Sequence, residues 1–167
     1  MTPVPFMVSA AFAAVLAAVL AAGAVTAVRR ALRVVEVHGE SMRPALRPGD
    51  RVLVRNLRPG RAGARVRRGD VVVIARVGPG EGLTLDGGTN LVIKRAAAVA
   101  GDPIPPGFET YAEVPREAPG EAPGDARVPP GRLLVLGDNP SRSTDSRQWG
   151  LLPESRITGV VLRRLNA

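Results

Sequence analysis

No cysteine occurs anywhere in the chain. Disulfides, thiolate metal centres and a cysteine nucleophile are therefore excluded, while the redox compartment stays open. Histidine is nearly absent too. His38 is the only one, which rules out a multi-histidine metal site, and neither a metal nor any other cofactor is expected. Aromatic residues reach only 3%, too few to provide base-stacking platforms. The formal charge of +8 could serve a nucleic acid or an anionic membrane surface, but the arginines are scattered, so no nucleic-acid partner is expected and a generally arginine-rich composition is the plainer explanation. The sharpest scarcity is lysine: of 23 basic residues, Lys94 alone is not arginine. A surface charge does not need lysine, but a base does, because a buried lysine loses its proton at an accessible pH and arginine does not.

The 167 residues suffice for one ordinary domain and a short appendage. The appendage is at the front, where Met1 to Val28 carry no charged side chain. Residues 4–28 form an apolar run long enough to cross a hydrocarbon core of about 30 Å as a helix. A cleaved secretory signal would carry a positive n-region, and a buried globular helix would show a polar stripe; neither is present. A transmembrane anchor at the cell membrane is the expectation. Arg29, Arg30 and Arg33 follow it, and the positive-inside rule places that end in the cytoplasm.

From Arg33 onward short β-type runs alternate with turns, in keeping with 19 glycines and 16 prolines. Strands are expected at "RVVEVH", "RVLVRN", "DVVVIARV", "LVIKRAAAVAGD", "RLLVLGDN" and "SRITGVVLRRL", with "LTLDGGTN" as half of a hairpin and "GRAGARVRRG" as a basic loop. Residues 103–131, dense in Pro, Gly and Glu, read as an irregular insertion. The fold class is thus mainly β, one domain over residues 29–167 behind the anchor.

Six serines are available to partner Lys94. Ser41 stands in "HGESMRPALRPGD", directly after an alternating strand and before a proline-rich turn, a junction that exposes a side chain on a fixed backbone. A solvated turn serine is the plain alternative. A Ser–His arrangement would have to use His38, three residues from Ser41 across a strand end, and a lone histidine there is more often structural. What is left is a serine–lysine pair in which a neutral amine takes the hydroxyl proton. An ordinary lysine is neutral in only ~0.4% of molecules at pH 8, so burial must lower its pKa. The flanking apolar residues Leu91, Val92 and Ile93 and the alanines of 96–100 suit that need, and strand alternation puts Val92, Lys94 and Ala96 on one face.

Four blocks occur in order: "GESMRPALRPGD" (Gly39 to Asp50), "RGDVVVI" (Arg68 to Ile74), "KRAAAVAGD" (Lys94 to Asp102) and "GDNPSRSTDSRQWG" (Gly137 to Gly150). Together they resemble the type I signal peptidases, membrane-bound serine proteases that remove signal peptides, in a compact form. The resemblance implies a signal-peptidase-like β-barrel or sandwich catalytic domain. By position it makes Ser41 the nucleophile and Lys94 the general base. Ser143 matches the serine that orients the lysine, and Asp145 and Arg147 match a charged pair that shapes the site. It also implies an oxyanion hole using the Ser41 backbone N–H in the Gly39 region. Substrates would be preproteins with small residues at positions −1 and −3, cut by a catalytic domain outside the cytoplasm. That orientation conflicts with the arginine cue.

Several positions depart from the family pattern. Gly39 stands where some members carry a second oxyanion serine, Ala45 replaces a usual threonine, Ala98 and Ala100 replace glycine and proline, and Pro140 replaces a frequent arginine. Three rival readings follow. One is a specialised maturation or pilin-type peptidase of the same family. Another is a self-cleaving repressor of the SOS type, which would carry a DNA-binding domain where this chain has an apolar segment. The third is a non-catalytic basic module binding the lipid bilayer through Arg29, Arg30, Arg33 and the "RPGRAGARVRR" loop.

Overall fold

The computed structural model describes residues 4–58, 65–75, 91–108 and 126–166. The expected half-hairpin "LTLDGGTN", the first half of the "GRAGARVRRG" loop and residues 109–125 of the insertion lie outside them. The chain begins with helix α1 (Val4–Ala31) and continues through β1 (Leu32–Glu36), β2 (Arg51–Asn56), β3 (Val71–Ala75), β4 (Leu91–Val99) and β5 (Arg132–Leu136). A short helix α2 (Ser146–Trp149), β6 (Leu152–Pro153) and β7 (Ile157–Arg164) complete it.

Alanine and leucine favour the helix in α1, and Thr26 satisfies its hydroxyl internally by donating to the Ala22 carbonyl at 2.8 Å. Within α1 the stretch Phe12–Ala31 has a mean hydropathy of 2.0 and no side chain buried by the protein. The helix runs three residues past the expected boundary at Val28, because Arg29 and Arg30 are good helix formers and sit favourably on the negative end of the helix dipole. β1 follows at the next residue, with no linker between them.

Among the described residues the seven strands form one antiparallel sheet in the order β1-β2-β7-β3-β4-β5-β6. The sheet is curled into a half-barrel, and the mainly β expectation holds. Three register breaks, at Leu53/Val54, Val73/Ile74 and Ala96/Ala98, supply the bend, since each bulge raises the local twist. The continuous apolar run of β3 is explained by cover on both faces. Val72 and Ile74 join Ala96, Val135 and Val160 in one core, while Val73 joins Val52, Val54 and Met42 in another. A third cluster seats Val128 against Ala98 and Leu134, so the end of the insertion is pinned to the sheet even though the sequence there reads as irregular.

Gly159 lies on β7 opposite Asn56 of the neighbouring β2. A Cβ there would collide with Val54 Cγ1 and sit 2.8 Å from the Arg55 carbonyl oxygen. Gly159→Ala should therefore lower stability by about 1–3 kcal/mol through overpacking. Chemical denaturation checks this, and an unchanged midpoint would contradict the packing described.

Candidate active site

Lys94 occupies the middle of β4, opposite Val72 of β3, with Val92 and Ala96 on its own face. Its side chain is 4% exposed. Burial pushes its pKa down, Asp145 works against that, and Arg147 adds to the lowering. Among the described residues the amine forms no hydrogen bond. A buried amine without acceptors is unfavourable as ammonium, so the neutral form gains. Arg95, the next residue, points to the other face and forms a bidentate pair with Asp138 at 2.8 and 2.6 Å, while its remaining nitrogen donates to the Gly69 carbonyl at 2.8 Å.

That clamp places the segment after β5. Arg95 pairs with Leu136, so Gly137 continues the ladder beside Lys94. Gly137 must be glycine for lack of space: an added Cβ would sit 2.6 Å from Ser143 Cβ and 2.7 Å from the Ser41 carbonyl oxygen. Two residues on, Asn139 donates from its backbone to that same Ser41 oxygen at 2.9 Å and from its side chain to the Glu40 carbonyl at 3.2 Å. The Ser41 turn is thus held from one side by the 137–139 segment. On the other side Met42 and Leu46 are anchored in the core.

Gly39 at the head of this turn has φ of 89°, a left-handed conformation, and nothing lies within 4 Å of a Cβ added there. Glycine is therefore required by the backbone angle and not by crowding. Among the described residues neither the Ser41 hydroxyl nor its backbone N–H donates to any group. His38 is displaced from this chemistry: its ring lies 3.7 Å from the Glu36 carboxylate with a side chain 69% exposed.

Asp145 organises the last block. It is fully buried and accepts from Gly137 N–H at 2.8 Å, Ser143 Oγ at 2.6 Å, and Arg147 through Nε at 2.9 Å and Nη2 at 2.6 Å. Burial alone would raise its pKa, but Arg147, the Gly137 amide and Ser143 outweigh burial and bring it to about 2. Ser143 therefore directs its proton at Asp145 and keeps its lone pairs for acceptance.

Sequence reading passed over three features of this region. The stretch expected as a polar loop contains α2, capped by Asp145 and Gln148 reaching for each other's backbone. The D-x-x-Q spacing signals such a capping box. Ser146, fully buried, donates no chemistry but accepts from Val135 N–H at 2.9 Å. The Arg95–Asp138 clamp joins residues 43 apart, and no local pattern reveals it.

Comparison with known proteins identifies the family. The sequence profile of the family described as signal peptidase, peptidase S26, matches residues 7–106 and 109–165. The chain is 32% identical over 138 residues to a probable signal peptidase I-1 of Synechocystis sp., covering 77% of this chain and 68% of that protein. It is 32% identical over 145 residues to a signal peptidase I of Leptolyngbya laminosa, covering 77% of this chain and 66% of that one. It is 33% identical over 132 residues to the mitochondrial ATP-independent inner membrane protease subunit 1a of Arabidopsis thaliana, covering 77% and 67%. The chain thus spans about two thirds of the length of these relatives.

Two outcomes are expected. Gly137→Ala should abolish peptidase activity while the protein stays folded, because the added methyl displaces Ser143 or the Ser41 turn; full activity would contradict the close approach. Asp145 has a folded-state pKa below its unfolded value, so its stabilisation is complete above about pH 4 and is lost as pH falls toward 2. Asp145→Asn should remove that acid-side slope from denaturation curves, and an unchanged slope would contradict the assigned ion pair.

Proposed function

The chain belongs to the signal peptidase, peptidase S26, family and is a serine endopeptidase, and from that premise we propose that it removes signal peptides from membrane-tethered preproteins with a Ser41–Lys94 dyad. The observation that carries this reading is the chain's only lysine, buried on β4 with a lowered pKa beside the loop that holds the Ser41 turn.

The neutral Lys94 amine takes the Ser41 hydroxyl proton as the oxygen attacks the scissile carbonyl. Negative charge develops on the carbonyl oxygen and is met by the Ser41 backbone N–H, which no other described group occupies. As the C–N bond breaks, the ammonium returns its proton to the departing amine and an acyl-enzyme remains. Water then gives a proton to Lys94 and attacks the ester carbon, and as the C–O bond to Ser41 breaks the ammonium returns that proton to the Ser41 oxygen, releasing the new carboxyl terminus and restoring the neutral amine. Ser143, whose proton goes to Asp145, has lone pairs free to accept a Lys94 N–H in the reacting complex, which would aim the amine's lone pair at Ser41. Asp145 and Arg147 set the basicity. A bare carboxylate would hold the lysine protonated, and Arg147 blunts that pull without removing it, leaving a base strong enough to accept a proton in the transition state.

Residues 4–28, extended in α1 to Ala31, anchor the enzyme beside substrates tethered in the same bilayer, which raises their effective concentration. The catalytic domain faces outward, where exported preproteins emerge. Small residues at −1 and −3 of the substrate and a single-pass location follow from the family. A specialised maturation role is a second reading, favoured by the likeness to the Arabidopsis inner membrane protease subunit. The non-catalytic module falls with the family assignment.

The test is cleavage of a preprotein with an Ala-x-Ala site by the detergent-solubilised protein. Ser41→Ala and Lys94→Arg should each reduce kcat/KM about 10³-fold or more, since an arginine cannot act as base. For the wild type, kcat/KM should rise with pH and level off below the ordinary lysine pKa of about 10.4. Equal cleavage by Lys94→Arg would refute the dyad.

A further inference from the structure

The dyad leaves one group of charges unused. Arg29 and Arg30 form the last turn of α1, Arg33 follows on β1, and Arg55 lies across the ladder on β2, opposite Leu32. Among the described residues none of these four arginines pairs with a carboxylate. The acidic groups in ion pairs are engaged elsewhere: Glu36 with His38, Glu40 with Arg43, Asp50 with Arg164, Asp138 with Arg95 and Asp145 with Arg147.

The arginines are also incompletely satisfied. Arg33 donates from Nη2 to Thr158 Oγ1 at 2.6 Å, but its Nε is buried with no partner, as is the Nε of Arg55. Burial pushes the Arg33 pKa down, and a nearby anion would favour its charged form. Arg33 shares a face with Val54 and Arg55 shares one with Leu32, so the two flank the β1–β2 edge on opposite faces. Val28 and Val34, 57% and 46% exposed, stand beside them.

Position identifies the anion. α1 passes into β1 without a linker, and Asn56 Nδ2 donates to the Arg30 carbonyl at 3.0 Å, tying the foot of the helix to β2. If α1 crosses the bilayer, this foot sits in the headgroup layer. Exposed valines then meet the acyl boundary while guanidinium forks meet phosphodiester oxygens, whose geometry they match. We propose that Arg29, Arg30, Arg33 and Arg55 form a seat for the phosphates of anionic lipids. The seat clamps the sheet edge to the leaflet from which α1 emerges. It resolves the conflict between the arginines and an outward-facing domain: these cations bind lipid on the side they occupy and do not mark the cytoplasm. The proposal rests on the membrane span and not on the dyad.

The full chain, purified in neutral detergent and delipidated, is titrated with phosphatidylglycerol, with phosphatidylcholine and with inorganic phosphate, and bound species are counted by native mass spectrometry. Phosphatidylglycerol should bind at least about tenfold more tightly than phosphatidylcholine, and equimolar inorganic phosphate should leave it bound. With each arginine near an anionic surface contributing about fivefold, the Arg33→Gln/Arg55→Gln variant should lose roughly tenfold or more, and Arg33→Lys/Arg55→Lys should keep most of the affinity. Should the glutamine variant misfold, Arg29→Gln/Arg30→Gln at the exposed helix end should still lose binding. Equal binding of the two lipids, affinity unchanged by charge removal, or displacement by inorganic phosphate would each overturn the seat. A protein that binds phosphatidylglycerol in this way but cuts no preprotein would uphold the seat and refute the dyad.

Discussion

A single amine held away from water, beside a carboxylate already claimed by an arginine, is the arrangement on which the rest of this structure depends. Lys94 is kept on a strand interior by Val72, Val92 and Ala96, and that burial disfavours its charge. Asp145 lies near enough to oppose the effect, yet it is fully occupied by Arg147, Ser143 and the Gly137 amide. Removing Arg147 would leave that carboxylate less screened from the amine. The lowered basicity is therefore a balance of desolvation against a screened carboxylate, and the sheet and the 137–147 loop are both needed to set it.

The same loop does structural and chemical tasks with the same atoms. Asp145 caps α2, orders Ser143 and fixes Gly137, while Asn139 holds the Ser41 turn by its carbonyl. The Arg95–Asp138 clamp on the outer face keeps this loop in register with β4 while Lys94 faces inward. Alternation along one strand thus separates the two side chains: Arg95 is bonded to a carboxylate on the outer face, and Lys94 is buried with no hydrogen-bonded partner among the described residues.

Much of this was legible in the sequence, for particular reasons. β2 coincides with "RVLVRN", and β3, β4, β5 and β7 fall inside the runs expected as strands, because alternating or β-branched residues bounded by Gly and Pro leave few other choices. Lys94 stood out by scarcity and Ser41 by its place at a strand end. What stayed hidden depends on contacts between distant segments. Nothing local in "GDN" tells that Asp138 will meet Arg95, or that Gly137 will touch the Ser41 carbonyl. The capping box of α2 was present as Asp145 and Gln148 but was masked by the polar composition around it. The role of Ser143 was expected toward the lysine, whereas its proton is directed to Asp145, a preference set by a buried carboxylate that accepts at short range.

Because Lys94 is the sole lysine, its ionisation can be observed without assignment. Lysine labelled with 13C at Cε, incorporated into the full chain in detergent, gives one side-chain signal whose shift against pH reports this amine. The structure predicts a midpoint below the ordinary value of about 10.4, moving lower still in Asp145→Asn. A midpoint at or above about 10.4 would mean that the amine is charged where it must be neutral, and would contradict its assignment as the base.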